Sequence, residues 1–170
     1  PTANGRARFV VPVGETTAEQ ADARSPIALA TGRLRDQWHG MSRTGKVARL
    51  YSHVDEARIE LHPADLRMFE VQSGELVKVS SRRGEIVLRA LASDELRRGQ
   101  AFVAMHWGRN VLNSAGVNAL MAGDFDPFSK QPELKHAAVR IDKVELPFQL
   151  LLMRVETAER AATELAEALV

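Results

Sequence analysis

Alternating apolar and polar residues recur along the chain and predict a series of short β-strands. Leu76–Ser80 and Glu85–Leu91 flank the turn Arg82-Arg83-Gly84, which is typical of a β-hairpin with a solvated turn. A short apolar run before Thr31 predicts a buried strand, and one ambiguous segment fits either a helix or a strand. The other strands are predicted at Arg58–Leu61, Gln100–Met105 and Ala138–Asp142, the apolar run is Ile27–Ala30, and the ambiguous segment is Val47–Tyr51.

Helical patterns are short and few. Pro63 suits the first position of a helix over Ala64–Phe69, with His62 as the residue that starts the helix and Asp65 in its first turn. The alanine- and leucine-rich segment Glu156–Val170 predicts an amphipathic C-terminal helix. Weaker patterns predict a helical turn at Thr17–Ala23 and a short strand at Phe9–Val13.

Many short strands with tight turns and minor helices favour a closed barrel over a sheet of βαβ units. Residues Trp107–Lys135 lack periodicity and are rich in Gly, Asn, Asp, Ser and Pro. A loop of this length in a compact domain is usually functional.

Composition restricts the classes of function. The 170 residues fit one domain, and a net charge of +1 without a block of one sign does not suggest nucleic acid as a partner. With no cysteine, the chain itself offers no disulfide, thiolate metal ligand or iron–sulfur ligand, which is compatible with the cytoplasm. No apolar run approaches a membrane span. Since Pro1 is not preceded by methionine, we expect a fragment or a processed product.

The segment Thr31–Gly45 concentrates glycines, hydroxyls, arginines and two aromatic rings. Arginine binds phosphate oxygens bidentately, and glycine-rich turns expose backbone N–H groups to anions. This segment therefore indicates an anionic ligand with phosphates and a planar ring system, although a plain basic surface loop would also account for the arginines. Val47 stands where a P-loop needs the hydroxyl that holds magnesium, which argues against a nucleotide triphosphatase.

Five signatures in a fixed order resemble one known family. The signatures are Thr31-Gly-Arg through Trp38-His39 to Arg43-Thr-Gly45, His62-Pro63-Ala-Asp65, Ser73–Val77 with Ser80–Gly84, Phe102–Trp107 and Phe125–Lys135. Together they are similar to the C-terminal molybdopterin-dinucleotide-binding domain of the molybdenum oxidoreductases of the dimethyl sulfoxide reductase superfamily, most like assimilatory nitrate reductase.

The resemblance implies a mainly β fold, a six-stranded double-psi β-barrel with short peripheral helices and a C-terminal helix. It implies three parts: a lead-in and linker (1–26), a molybdopterin-dinucleotide-binding barrel (27–146) and a helical extension (147–170). The cofactor implied is bis-molybdopterin guanine dinucleotide with molybdenum, bound within a larger enzyme that reduces nitrate to nitrite in the cytoplasm. The rest of that catalytic chain would carry the molybdenum ligand and an iron–sulfur cluster.

The same resemblance implies site residues on this chain but no catalytic residue and no metal ligand. His106 and Trp107 would line the substrate funnel. The residues implied to bind the cofactor are Thr31, Gly32, Arg33, Gln37, Trp38, His39, Gly40, Ser42, Arg43, Thr44, Asn118 and Lys135. The histidines His39, His62 and His106 lack the local spacing of a zinc site.

Several alternatives remain open at this point. Trp38 and His106 could be ordinary core residues, and Lys135 a surface lysine. The domain could belong to a formate dehydrogenase or another molybdenum oxidoreductase. It could also be a free-standing barrel that binds a nucleotide or a protein partner. In each case we expect the isolated domain to be inactive.

Overall fold

The computed structural model describes residues 2–9, 11, 16–112 and 114–145, within which six strands close into one barrel. Neighbours around the barrel run in the order β1-β5-β2-β4-β3-β6. This architecture confirms the predicted mainly β, six-stranded barrel. The strands are β1 (Ile27–Gly32), β2 (Arg58–Leu61), β3 (Leu76–Ser80), β4 (Glu85–Ala92), β5 (Gln100–Ala104) and β6 (Ala137–Lys143).

Two of the six neighbouring pairs are parallel. β1 pairs with β5 so that Gly32 lies opposite Ala104, and β2 pairs with β4 in the same sense. The other pairs, including β1 with β6, are antiparallel. Because β1 and β5 are parallel, their carboxyl ends lie at the same edge of the barrel, and the antiparallel β6 begins there.

The interior of the barrel is filled by the inward residues of each alternating strand. Ile27 and Leu29 on β1, Ile59 on β2 and Val77 and Val79 on β3 are fully buried. Burying one such side chain contributes about 1.5–3 kcal/mol of transfer free energy. The core is therefore supplied by the strands and holds the loops at the barrel edges in place.

The one α-helix of the described residues, α1, spans Pro63–Met68. As predicted, Pro63 lies in its first turn and His62 caps it, because the Ala64 N–H donates to His62 Nδ1 at 3.0 Å. Asp65 is buried and accepts a hydrogen bond from the Gly99 N–H at 2.7 Å, which ties the helix to the turn before β5. The ambiguous segment near residue 50 forms a 3-10 turn over Ala48–Tyr51.

The predicted helical turn at Thr17–Ala23 is wrong, since this segment contains only bends. Glu19 is instead drawn against the barrel, where it accepts hydrogen bonds from Arg83 at 2.6 Å and from the Ala138 N–H at 3.1 Å. Asp22 accepts hydrogen bonds from the backbone of the following turn and from Arg82. Long-range partners therefore decide the conformation of this segment.

The same contacts correct the prediction of a solvated hairpin turn at Arg82-Arg83. The Arg83 side chain is 30% exposed and bonds the carboxylate of Glu19, which is 7% exposed. Burial acts to raise the pKa of Glu19, but the hydrogen bonds from Arg83 and Ala138 outweigh it and hold this pKa below its usual value. The turn is thus an anchor for the N-terminal segment.

Two further predictions fall wholly or mostly outside the described residues. The C-terminal helix at Glu156–Val170 lies beyond them. Most of the predicted strand Phe9–Val13 does as well, and the described residues 2–9 and 11 contain no strand.

Candidate functional site

The carboxyl ends of β1 and β5 and the start of β6 meet at one edge of the barrel. The Met105 N–H donates to the Gly32 carbonyl at 2.8 Å, which keeps the chain after β5 beside the chain after β1. We call this edge the strand-end face and define it by the residues that follow β1 and β5 or precede β6: Gly32, Arg33, His106, Trp107, Lys135 and His136.

Thr31 joins the two segments that the sequence assigns to one ligand. Its hydroxyl donates to the Leu134 carbonyl, and its own carbonyl accepts a hydrogen bond from Lys135 Nζ at 2.7 Å. The start of the glycine-rich segment is therefore bonded to the end of the long loop. The hydroxyl and the carbonyl of Thr31 are thus both bonded within the protein. The Lys135 ammonium has three N–H donors and uses one of them here.

Four buried side-chain nitrogens of the described residues lack a hydrogen-bond partner, and all four belong to the strand-end face. They are Nδ1 and Nε2 of His106, Nε1 of Trp107 and Nε2 of His136. Buried polar atoms are normally paired, and an unmet one costs about 1–3 kcal/mol. His106 and Trp107 are 6% and 4% exposed, so His106 is buried without being a satisfied core histidine. The strand-end face therefore carries ring nitrogens that can bond a ligand, and the described residues offer them no partner.

Burial lowers the pKa of His106, and the positive charge of the nearby Arg33 lowers it further. The imidazole therefore stays neutral, with one nitrogen as donor and the other as acceptor. Arg33 itself is exposed and adds a guanidinium to the same face. The strand-end face thus combines neutral ring nitrogens with two cations, Arg33 near His106 and Lys135 at Thr31, which suits a ligand that contains phosphates and a heterocycle.

Trp107 and Asn118 line one pocket of about 250 Å³. The Val117 N–H donates to the Trp107 carbonyl at 3.0 Å and begins a 3-10 turn over Val117–Leu120 that presents Asn118. A Cβ on Gly116 would lie 2.9 Å from Gly108 Cα, so this turn packs closely on the residues after Trp107. The structure thus brings the predicted funnel tryptophan and the predicted cofactor-binding asparagine together.

Polar residues of the glycine-rich segment hold the segment itself. Gln37 is buried, and its side chain bonds the Leu50 carbonyl at 3.3 Å and the hydroxyl of Thr44 at 2.7 Å. The Thr44 hydroxyl also accepts the Trp38 N–H at 3.0 Å, and Ser42 Oγ donates to the His39 carbonyl at 2.9 Å. The hydroxyls and the amide in the motif therefore have partners within the protein, a role that spacing alone does not reveal.

A left-handed stretch of backbone crosses the tip of this segment. His39, Gly40 and Met41 have φ angles of 48°, 58° and 68°, a strained region for the two residues other than glycine. Trp38 is 58% exposed and packs edge-on against His39 at 5.4 Å between ring centroids, so it is not a core residue. Strained, exposed backbone between aromatic rings and the exposed Arg43 is typical of a ligand-binding loop. Among the described residues, no hydrogen bond links residues 38–44 to His106 or Lys135.

The run before Lys135 forms a rigid hairpin of its own. Asp126 accepts hydrogen bonds from the N–H groups of Phe128 and Ser129 at 3.1 and 2.6 Å, and these donors lower its pKa, the Ser129 N–H most strongly. Phe125 and Pro132 form an isolated β-bridge across it. The hairpin fixes where the chain returns to Lys135 and β6.

The described part of the chain contains no group of three or more His, Cys, Asp or Glu residues placed to hold a metal ion. It also contains no helix long and apolar enough to cross a membrane.

His136 is the member of the strand-end face that the sequence analysis missed. A histidine after a lysine in a loop carries no pattern, and nothing in the sequence shows that its Nε2 is buried. The signal that could have indicated it is position, because it lies two residues before the predicted strand Ala138–Asp142 and directly follows the predicted ligand residue Lys135.

Residues 27–138 match the protein family described as "Molydopterin dinucleotide binding domain". The chain is similar to a nitrate reductase of Klebsiella oxytoca, with 41% identity over 81% of this chain and 16% of that protein. It is also similar to the F420-dependent formate dehydrogenase subunit alpha of Methanocaldococcus jannaschii, with 33% identity over 84% of this chain and 20% of that protein. The chain therefore spans about a fifth or less of the length of these relatives.

A solved structure shares the fold. Acetylene hydratase from Pelobacter acetylenicus superimposes with a TM-score of 0.58 over 71% of this chain and 18% of that one, at 18% sequence identity. At that identity the likeness concerns the barrel alone.

Proposed function

Because this chain belongs to the molybdopterin dinucleotide binding domain family, we propose that its strand-end face binds bis-molybdopterin guanine dinucleotide within a larger nitrate reductase. The observation that carries the proposal is the set of four unpartnered buried nitrogens on that face. A dinucleotide with phosphates and purine-like rings offers the acceptors and donors that these nitrogens lack. The bound molybdenum cofactor supplies the two-electron chemistry that converts nitrate to nitrite.

In this proposal each residue of the face has a distinct role. Arg33 and Lys135 bind anionic oxygens, and the Thr31 carbonyl orients Lys135. Neutral His106 offers one donor and one acceptor, while Trp107 Nε1 is a donor only. The pocket between Trp107 and Asn118 forms part of the substrate funnel.

The loop of residues 37–44, which follows β1, completes the proposed site. Gln37, Ser42 and Thr44 hold its backbone, so their contribution is to shape the loop. Trp38, His39, Gly40 and Arg43 are exposed and supply ring faces, open backbone and a guanidinium. Gly32 lies under the ring of Phe102, where a Cβ would come within 2.5 Å of Cε2, so it serves packing at the base of the site.

The proposal extends to the rest of the enzyme. We assign the molybdenum ligand and an iron–sulfur cluster to the remainder of a longer chain, because the 170 residues contain no cysteine. We also assign the enzyme to nitrate assimilation in the cytoplasm, in keeping with the assimilatory branch that the motifs resemble.

The experiment is to substitute the two cations in the full-length protein and measure its cofactor. Removing one charge-assisted contact costs about 1.5–3 kcal/mol, so Arg33→Ala and Lys135→Ala should each lower the molybdenum and nucleotide content of purified, folded protein. Arg97→Ala is the control, since Arg97 is exposed and lies just before β5, at the opposite end of the barrel. Full cofactor content in both variants, with unchanged thermal unfolding, would overturn the proposal.

Formate oxidation is the second candidate activity. The relative from Methanocaldococcus jannaschii, a formate dehydrogenase subunit, is 33% identical over 84% of this chain and favours it. The nitrate reductase of Klebsiella oxytoca is more similar, at 41%. Assays of the full-length protein with nitrate plus reduced viologen and with formate plus oxidised viologen distinguish the two activities.

A further inference from the structure

His136 lies beside the end of β1, in line with residues that already belong to the proposed site. In the antiparallel pairing of β1 with β6, Leu29 lies opposite Ala137. The pairing continues past the strand, because the Thr31 hydroxyl bonds the Leu134 carbonyl and Lys135 Nζ bonds the Thr31 carbonyl. His136 is thus held between two segments that are both fixed to β1.

The ring of His136 has an unmet polar atom in this position. Its Nε2 is buried and has no hydrogen-bond partner among the described residues, as for the ring nitrogens of His106 and Trp107. The three residues flank β1 from both sides, since His106 and Trp107 follow β5 and His136 precedes β6. A single ligand that lies across the end of β1 would reach the residues on both sides. It would supply the hydrogen-bond partners that the described residues do not give these nitrogens.

We infer that His136 is a further cofactor-binding residue, which contacts the dinucleotide through Nε2 from the β6 side of the face. The inference rests on the proposed function and adds a residue that neither the motifs nor the family resemblance assigns. A neutral imidazole nitrogen suits the polar edge of a heterocycle, while the adjacent Lys135 supplies charge for anionic oxygens. The β6 side of the face then binds both chemical parts of the ligand with consecutive residues.

The test compares three histidine variants in the full-length protein. His136→Leu removes the nitrogen and should lower the cofactor retained after gel filtration about fivefold, the scale of one lost neutral hydrogen bond. His136→Gln places an amide nitrogen near the position of Nε2 and should retain cofactor close to the level of the unsubstituted protein. His53→Leu is the matched control, because His53 is 57% exposed and pairs with Asp36 outside the face. Retention is measured as molybdenum and acid-released nucleotide per folded protein.

Thermal unfolding of the 170-residue chain without cofactor separates binding from a structural role. His136→Leu removes a buried unpartnered nitrogen, so the unfolding midpoint should not fall. A lowered midpoint would make His136 structural and overturn the inference. Unchanged retention in His136→Leu alongside a loss in Arg33→Ala or Lys135→Ala would overturn the inference and leave the proposed function standing. Unchanged retention in all three variants would overturn the proposed function and the inference with it.

Discussion

Gly45 illustrates how a single residue type is required by the backbone around it. A Cβ at this position would lie 2.6 Å from the Met41 carbonyl oxygen, which also accepts the Gly45 N–H at 2.8 Å. Because the Met41 carbonyl also accepts the Gly45 N–H, it cannot move away from a new Cβ without breaking that hydrogen bond and the turn. We expect Gly45→Ala to lower the free energy of unfolding by about 2 kcal/mol or more, measured by urea denaturation.

Gly40 provides the comparison for that experiment. Its φ is +58°, but a Cβ there would meet nothing within 4 Å. Gly40→Ala should therefore cost about 1 kcal/mol from backbone conformation alone. A larger loss in Gly40→Ala than in Gly45→Ala would contradict the packing argument.

His106 should make the stability of the chain depend on pH. Burial and the charge of Arg33 lower its pKa in the folded state, so the unfolded chain takes up a proton near pH 6.5 that the folded chain excludes. The free energy of unfolding is then unaffected above about pH 6.5 and decreases as the pH falls from there towards the lowered pKa. Denaturant unfolding of the chain at pH 7.5 and 5.5 measures the difference.

His106→Phe is the matched variant for this pH dependence. It removes the titrating ring, so its loss of stability between the two pH values should be smaller than that of the unsubstituted chain. Comparing each protein with itself removes the effect of the substitution on packing. An equal loss in both proteins would show that other groups cause the pH dependence.

For single residues, the sequence shows which side chains could bind an anion. It does not show which polar side chains already bond other groups of the protein. Arg33 and Lys135 stand out as cations in motifs, and the structure brings them to one face. Gln37 looks equally available in the sequence, yet its amide is buried against Thr44 and Leu50. These partners lie 7 and 13 residues further along the chain, and residue spacing does not show which polar groups of a motif bond one another.

Among the elements, the N-terminal segment is bonded to the barrel through Glu19, which pairs with Arg83 and Arg82, and through Asp22, which pairs with Arg82. Glu19 bonds Arg83 at 2.6 Å and the Ala138 N–H at 3.1 Å, and thereby links the β3–β4 turn and β6. Breaking a fully buried pair costs about 3–5 kcal/mol, and the partial exposure of Arg83 reduces this. We expect Glu19→Ala to lower the free energy of unfolding by about 2–3 kcal/mol.

A double-mutant cycle tests whether that loss comes from the pair. Arg83→Ala and the double variant are measured with Glu19→Ala by denaturant unfolding, and a coupling of about 1 kcal/mol or more is expected. Arg140→Ala is the control, since Arg140 pairs with Asp142 at the surface. Additive losses at Glu19 and Arg83 would contradict the assignment.

The strands were predictable because their signal is local. Short apolar runs and apolar–polar alternation predicted all six strands to within one or two residues at each end, because both patterns follow from which positions of a strand are buried. The segment at Thr17–Ala23 failed because Glu19 finds its partner 64 residues further along. Local propensity has no access to an interaction of that range.

For the whole molecule, closure and strand order lie beyond local patterns. The parallel pairing of β1 with β5 joins strands almost 70 residues apart, and the strand-end face exists because of that pairing. The barrel itself was predicted from the number of short strands and from the family resemblance. The order of the strands around the barrel then decides which loops lie at the same edge of the barrel.

Without the longer enzyme chain that we propose, the 170 residues should have no nitrate reductase activity. The 170 residues contain no cysteine, so they offer no thiolate for molybdenum and no ligands for an iron–sulfur cluster. The proposed cofactor contacts come from the ends of three strands, on a chain that spans 16% of the nitrate reductase of Klebsiella oxytoca. We therefore expect the purified 170-residue chain to reduce no nitrate, while the full-length protein does so under the same conditions. Nitrite formed with reduced viologen is the measurement, with a sample lacking protein as the baseline. Nitrite above that baseline from the 170-residue chain would mean that it holds a complete catalytic centre and would contradict its assignment as one part of a larger enzyme.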